Sequence, residues 1–218
     1  MNKKTVPELI ARLEALYPKA LCTLDYTEPY QLVVGARLAA QCTDERVNKT
    51  TPALYAAYPT LQSLAEADVS SVAALVRPCG FFNSKARDIV AMANTLLTAF
   101  GGTVPGTMDE LLTLPGVGRK TANLILGDVF GAPSVVVDTH CIRLSNRIGL
   151  VKNMKDPVKI ETALRKLLPE NKSSDFCHRL VMHGRAVCAA RAPRCAECAL
   201  RDICDAGRRA IPDAPARQ

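Results

Sequence analysis

The nine residues Leu114-Pro-Gly-Val-Gly-Arg-Lys-Thr-Ala122 constrain this chain more than any other stretch. An apolar segment ends at Leu114 and a helix-forming run follows, so the pattern predicts a helix, a tight turn and a second helix. Gly116 and Gly118 lie in the turn, where the lack of a Cβ lets backbone N–H groups approach another molecule closely. The same N–H groups open the second helix, where donors lack partners and the dipole is positive.

The turn is therefore predicted to bind an anion, and a backbone phosphate is the anion we expect. Arg119 and Lys120 stand on the first turn of the second helix, where the helix dipole does not favour positively charged side chains. Their positions indicate a role outside folding. A solvated first turn that binds nothing is the alternative reading of these nine residues, because Pro-Gly-x-Gly turns between helices are common.

The charge of the chain favours a polyanionic partner, since the formal net charge is +7 over 218 residues. No apolar run approaches the ~20 residues that span a bilayer, and the N-terminus lacks the apolar region of a secretory signal. We therefore expect a protein that is not secreted and has no membrane partner, and that is cytoplasmic, or nucleoid-associated in a bacterium. In that compartment the nine cysteines are expected to be reduced.

The hydrophobic pattern predicts an all-α protein with many short helices. A nearly unbroken apolar run over residues 32–40 marks a central helix, which we expect to end at residues 41–44. The one strand-like run, residues 134–137, is too short to build a sheet, so we expect it to be a buried extended link.

Capping residues predict where two helices begin. Ser84 is expected to cap a long helix and to place Lys85 on its first turn. Asp138 is expected to cap a helix that runs to about Ile148. The Pro- and Ala-rich tail after Arg209 is expected to be disordered.

Four cysteines close in sequence indicate one metal-ligand set. Their spacing is C-x6-C-x2-C-x5-C, formed by Cys188, Cys195, Cys198 and Cys204. Structural zinc usually uses two C-x2-C pairs, and here only one pair is close-spaced. The asymmetric spacing favours a [4Fe–4S] cluster, which takes four cysteines, and zinc is the alternative. The five remaining cysteines are expected to pack in the core or to have no functional role.

The loop between the first two of these cysteines carries Arg191 and Arg194. A bound metal would close the loop at both ends, so both arginines are expected at defined positions where they contact a second phosphate. The alternative is that they only offset the charge of the thiolates.

These motifs together resemble the endonuclease III family, the bifunctional DNA glycosylase/AP lyases of the helix-hairpin-helix superfamily. The resemblance rests on Leu114 to Asn123, on Val137-Asp-Thr-His140 and on the four-cysteine spacing, and it runs from about residue 6 to 206. It implies a two-domain fold, with a six-helix domain over residues 23–133. Residues 1–22 and 134–218 would form a discontinuous iron–sulfur cluster domain.

The resemblance also implies the partner and the reaction. Double-stranded DNA that contains oxidised pyrimidines or abasic sites would lie across the cleft between the two domains, bound by a monomer. The enzyme would excise the damaged base and then cleave the strand at the abasic site. The four cysteines are distant in the chain from Lys120 and the expected reaction needs no electron transfer, so the cluster is expected to be structural.

Lys120 matches the nucleophile of the family. An amine that displaces the base at C1′ yields an imine, which acidifies C2′ and permits β-elimination of the 3′ phosphate. The amine must be neutral, and the helix N-terminus and Arg119 both disfavour its charged form. Asp138 matches the partner carboxylate, which would help deprotonate Lys120 or stabilise positive charge on the sugar. The alternatives are a phosphate contact for Lys120 and simple capping for Asp138.

Extrusion of a nucleotide leaves a gap in the duplex. Gln41 and the Phe81-Phe82 loop match the two elements with which the family invades the helix. Family members often have Leu where Phe81 stands, so its role as a wedge competes with that of a core residue. Ala39 replaces a common Ser and removes a hydroxyl from the pocket. The remaining expected DNA contacts are Leu114, Gly116, Gly118, Arg119 and His140, of which His140 has packing as its alternative.

Two rival interpretations remain. Mismatch-adenine glycosylases share the cluster, but they lack the hairpin lysine and carry a catalytic Glu at the position of Arg37. The second rival is a non-catalytic DNA-binding or redox-sensing cluster protein, which would form no covalent complex with abasic DNA.

Overall fold

The computed structural model describes residues 5–210, so the first four residues and residues 211–218 of the tail predicted to be disordered lie outside it. Within this range the protein folds into α-helices and three short 3₁₀ segments, with no β-strand, which confirms the predicted all-α class. The α-helices are α1 Val6–Leu16, α2 Pro29–Leu38, α3 Asp44–Ala57, α4 Leu61–Ala65, α5 Val69–Val76, α6 Phe82–Phe100, α7 Met108–Leu111, α8 Arg119–Asp128, α9 Thr139–Ile148, α10 Pro157–Leu167, α11 Ser173–Ala186 and α12 Asp205–Ala210. None of them combines the length and the apolar character needed to cross a membrane.

The chain separates into two compact units. One unit is Cys22–Gly131 and contains α2 to α8. The other joins Met1–Leu21 to Ala132–Gln218 and contains α1 and α9 to α12.

The core of the Cys22–Gly131 unit is built around α6, which packs against α2, α4 and α5. Ile89, Met92 and Leu96 recur every three or four residues along α6 and are all buried. This spacing places them on one face of the helix, and each contributes about 1.5–3 kcal/mol through burial. The apolar run in α2 is covered as predicted, since Leu32 and Val33 are both fully buried.

Two predicted helix boundaries in this unit are wrong. The helix α2 ends at Leu38 rather than within residues 41–44, and a turn then leads to α3, which Thr43 caps. The helix α6 begins at Phe82, and its N-cap position is occupied by Phe81 rather than Ser84. The Ser84 hydroxyl instead donates to the Phe81 carbonyl at 2.9 Å. Serine favours the N-cap position, but the first turn of α6 already begins two residues before Ser84.

The second unit is centred on α11, which packs against α1 and α9. Phe176, Cys177 and Leu180 of α11 are buried at helical spacing. The segment before α9 is extended and buried, with Ser134 and Val135 fully covered, and it pairs with no strand in the described range. The predicted buried extended link is therefore confirmed.

Candidate functional site

The two glycines of the hairpin between α7 and α8 face in different directions. Gly116 has φ +77°, and a Cβ there would lie 2.6 Å from Cδ of Arg37 and 3.1 Å from Cβ of Asp88. Arg37 is held in place because its Nε and Nη2 bind Asp88 Oδ2 at 2.7 and 2.6 Å. Gly118 has φ −105°, and a Cβ there would meet nothing within 4 Å. A Cβ on Gly116 would thus point at the Arg37–Asp88 pair, whereas a Cβ on Gly118 would point into open space.

Leu114 and Val117 are buried and anchor the hairpin to its unit. The N-cap of α8 is Gly118, which has no side chain to accept from the N–H groups of the first turn. Arg119 and Lys120 are both exposed on that turn. The hairpin therefore presents a helix N-terminus and two cations to solvent, an arrangement that suits a bound anion.

Asp138 is the N-cap of α9, and its Oδ1 accepts a hydrogen bond from the Cys141 backbone N–H at 2.7 Å. Its predicted capping role is confirmed. The carboxylate is half-buried, and among the described residues Oδ2 has no hydrogen-bond partner. The cap therefore leaves one carboxylate oxygen available to a ligand.

His140 packs inside its own unit. Its Nδ1 lies 3.1 Å from Nη2 of Arg143, and it rests against Gly184 of α11, where an added Cβ would overlap the ring. The packing alternative for His140 thus has structural support, and its contact with DNA stays a prediction.

Gln41 and Phe81 are exposed and share a left-handed backbone, with φ 55° and 47°. Phe81 is 67% exposed, so its alternative role as a core residue is wrong. A bulky residue in this conformation costs about 1–3 kcal/mol and is concentrated at functional sites. Phe82 is half-buried instead, with the Arg77 guanidinium 5.8 Å from the centre of its ring.

The four clustered cysteines are free thiols that line one cavity of about 170 Å³. Among residues 5–210, no three His, Cys, Asp or Glu side chains are grouped so that they could hold a single metal ion. Four thiols that line one cavity suit a metal group with four cysteine ligands.

Several N–H groups are directed at these sulfurs. Arg147 Nη1 donates to Cys188 Sγ, and the Gly207 backbone N–H donates to Cys204 Sγ, both at 3.4 Å. His183 Nε2 lies 3.4 Å from Cys198 Sγ, and its other ring nitrogen lies 3.1 Å from the Tyr17 hydroxyl. Hydrogen bonds to thiolate ligands are a usual feature of such sites. Sequence analysis missed Arg147, which lies 41 residues before Cys188, and His183, which lies close to Cys188 in the chain but outside the four-cysteine spacing.

The loop of residues 189–194 is fixed by Arg147, which donates to the carbonyls of Ala189 and Ala190 at 2.7 and 2.9 Å. Arg191 and Arg194 are exposed on this loop. The Arg194 guanidinium donates to the Ala186 carbonyl and lies 3.6 Å from a carboxylate oxygen of Glu197. It is therefore Arg147, and not Arg194, that contacts a cysteine sulfur.

Comparison with known proteins gives one consistent result. Residues 34–170 match the profile of a family described as HhH-GPD superfamily base excision DNA repair protein. Endonuclease III of Synechocystis sp. is 48% identical over 93% of this chain and 93% of its own length. Endonuclease III of Escherichia coli K12 is 38% identical over 94% of this chain and 97% of its own.

A solved structure extends the similarity to three dimensions. It is a trapped endonuclease III–DNA covalent intermediate, described as an estranged-adenine complex, and it is 34% identical to this chain. The TM-score is 0.90, and the match covers 96% of this chain and 99% of the other. The predicted resemblance and the predicted helix-hairpin-helix glycosylase fold are thereby confirmed.

Proposed function

Since this chain belongs to the HhH-GPD superfamily of base excision DNA repair proteins and is a DNA repair enzyme, we propose that it is a bifunctional DNA glycosylase/AP lyase. Its substrate would be double-stranded DNA that contains oxidised pyrimidines or abasic sites. The observation that carries this proposal is the exposed Lys120 on a helix whose N-cap is the open Gly118. A relative of 34% identity forms a covalent intermediate with DNA, which is the behaviour that such a lysine would produce.

Lys120 is the proposed nucleophile. Its nitrogen forms a bond to C1′ as the bond between C1′ and the base breaks, and the sugar ring then opens to an imine. Loss of a proton from C2′ lets the electron pair expel the 3′ phosphate, so one amine accounts for both base removal and strand cleavage. Water finally hydrolyses the imine and frees the lysine.

Asp138 is the proposed carboxylate of the reaction. Its Oδ1 is occupied as the cap of α9, and Oδ2 would accept a proton from the lysine or stabilise positive charge on the sugar. The hydrogen bond at Oδ1 fixes the orientation of the carboxylate, so Asp138 can cap α9 and take part in the reaction.

Gln41 and Phe81 are proposed to enter the duplex where the damaged nucleotide leaves it. The proposal is supported by their exposure and by the strained backbone that presents them. An apolar wedge inserted between bases replaces part of the stacking that is lost when a nucleotide is extruded.

The four clustered cysteines are proposed to hold a [4Fe–4S] cluster through four iron–thiolate bonds, which would staple the loop of residues 189–194. The cavity and the N–H groups directed at the sulfurs support this proposal. Arg191 and Arg194 of that loop are proposed to contact the DNA backbone, where each neutralised phosphate would add salt-dependent affinity.

The deciding experiment is reduction by borohydride in the presence of duplex DNA with an abasic site. Reduction converts an imine into a stable amine, so the wild-type protein should become covalently attached to DNA. Lys120→Ala should abolish the attachment. Lys159→Ala is the matched control, because Lys159 is also an exposed lysine on the first turn of a helix, α10. A wild-type protein that gives no covalent complex would favour the non-catalytic DNA-binding alternative.

The adenine-glycosylase alternative receives no support from the geometry around α2. The position at which that family carries a catalytic Glu is Arg37, whose guanidinium is paired with Asp88 beneath the hairpin. An arginine used in packing supplies no carboxylate to an adenine.

A further inference from the structure

Lys85 is the largest fully buried side chain of the described residues, with 0% of its surface exposed. It stands on the first turn of α6, where a lysine is normally solvated. A buried ammonium is costly unless it is fully hydrogen-bonded, and among residues 5–210 no carboxylate pairs with it. A contribution to the stability of the fold is therefore a weak explanation for a lysine at this position.

The partners of Lys85 are the ends of two helical segments. Its Nζ donates to the Leu38 carbonyl at 2.8 Å and to the Cys79 carbonyl at 2.9 Å. Leu38 is the last residue of α2, and Cys79 ends the 3₁₀ segment Arg77–Cys79. Carbonyls at helix ends lack partners within the helix, and a cation there is favoured by the dipole. The Lys85 Nζ thus links the C-terminal ends of two helical segments.

Each of these ends leads directly into a left-handed residue. Gln41 follows Leu38 by three positions and Phe81 follows Cys79 by two, with φ 55° and 47°. Lys85 also binds the second turn from its backbone, because its N–H donates to the Phe81 carbonyl at 3.1 Å. Strained residues persist only where the surroundings over-determine them, and Lys85 is hydrogen-bonded at the start of both turns.

We propose that Lys85 is a positioning residue that fixes the Gln41 turn and the Phe81 turn relative to each other. With the two turns fixed, both side chains enter the duplex together, and no ordering of the turns is needed during DNA binding. This inference rests on the proposed function, and it concerns base extrusion from duplex DNA, not the chemistry of the lysine nucleophile.

The test compares two reactions of the full-length protein. The first is single-turnover excision of thymine glycol from a duplex, which requires extrusion. The second is cleavage of single-stranded DNA at a preformed abasic site, which requires neither a duplex nor a base. Lys85→Met keeps the length of the side chain and removes both Nζ hydrogen bonds. It should slow the first reaction by about tenfold to a hundredfold, the loss typical of a misplaced group, and change the second less than about twofold.

A double-mutant cycle separates positioning from general damage to the fold. If Lys85 acts through Phe81, adding Lys85→Met to Phe81→Ala should slow excision much less than it does in the wild type. If the rate reduction in the double variant equals the product of the rate reductions in the two single variants, the proposal is wrong. Lys159→Met, which removes an exposed lysine of α10, is the control for loss of charge and should leave both rates unchanged.

The remaining outcomes are also decisive. If Lys85→Met does not fold, Lys85→Gln takes its place, because its shorter side chain weakens the link to the two carbonyls while it still offers a donor, and the same difference between the two rates is expected. If that variant also fails to fold, Lys85 acts on stability alone and the proposal is wrong. If the wild type performs neither reaction, the proposed function itself fails. If it performs both and Lys85→Met slows them equally, only the positioning role is refuted.

Discussion

Replacing each hairpin glycine by alanine should separate the structural role of one from the ligand-facing role of the other. At Gly116 the backbone has φ +77°, and an alanine in this region costs about 1–2 kcal/mol. The new Cβ would also lie 2.6 Å from Arg37 Cδ, so the Arg37–Asp88 ion pair must shift. That pair is partly exposed, with side-chain exposures of 16% and 32%, and its loss adds at most about 1 kcal/mol. Gly116→Ala should therefore lower the free energy of unfolding by roughly 1–3 kcal/mol.

Gly118→Ala should behave differently. The backbone there has φ −105° and the Cβ would meet nothing within 4 Å, so the cost is limited to a poorer N-cap, less than about 1 kcal/mol. The methyl group would, however, stand on the open side of the turn, where a phosphate is expected to approach. Gly118→Ala should therefore weaken binding to duplex DNA while the fold is retained.

Both variants can be measured by urea unfolding followed by circular dichroism and by fluorescence anisotropy with a labelled duplex over a range of salt concentrations. In thermal unfolding followed by circular dichroism, Gly116→Ala should lower the melting temperature by roughly 2–12 °C, as expected for a chain of this length. Equal losses of stability in the two variants would refute the different roles assigned to Gly116 and Gly118. Unchanged DNA affinity in Gly118→Ala would refute the phosphate site.

Three further predictions follow from the described contacts. Asp138→Asn retains an oxygen that can cap α9, so it should abolish base excision with little change in melting temperature; activity that falls only in proportion to stability would leave capping as the sole role. Phe81→Gly removes the cost of a left-handed aromatic residue, so urea unfolding should show no loss of stability while excision from duplex DNA slows; an unchanged excision rate would contradict the wedge. The purified protein should be brown and contain about four iron atoms per chain by elemental analysis, and bound zinc without iron would contradict the cluster.

The sequence predicted those features that depend on neighbouring residues. Helical periodicity was sufficient for the all-α class, and Asp138 before a helix-forming run was sufficient for its cap. The extended link before α9 was predictable because four residues are too few for a sheet. Each of these conclusions requires only a few consecutive residues.

Features that depend on distant residues were not predictable in this way. Lys85 occupies a position where lysine is usually solvated, and the carbonyl of Leu38, which holds it, is 47 residues away in the chain. Arg147 lies 41 residues before the sulfur that it contacts and has the sequence context of an ordinary basic residue in the last turn of a helix. The close approach of Gly116 to Arg37 of α2 likewise joins residues that are distant in the chain. These contacts exist only once the helices are assembled, and periodicity carries no information about them.

The helix α9 runs from the Asp138 cap to the loop between the first two clustered cysteines. Its N-cap is the Asp138 carboxylate. Its last turn carries Arg147, which donates hydrogen bonds to backbone carbonyls between the first two clustered cysteines. Ten residues of helix measure about 15 Å, so a tilt at one end must move the other. If the four cysteines hold a metal group, its loss would therefore change the orientation of the Asp138 carboxylate.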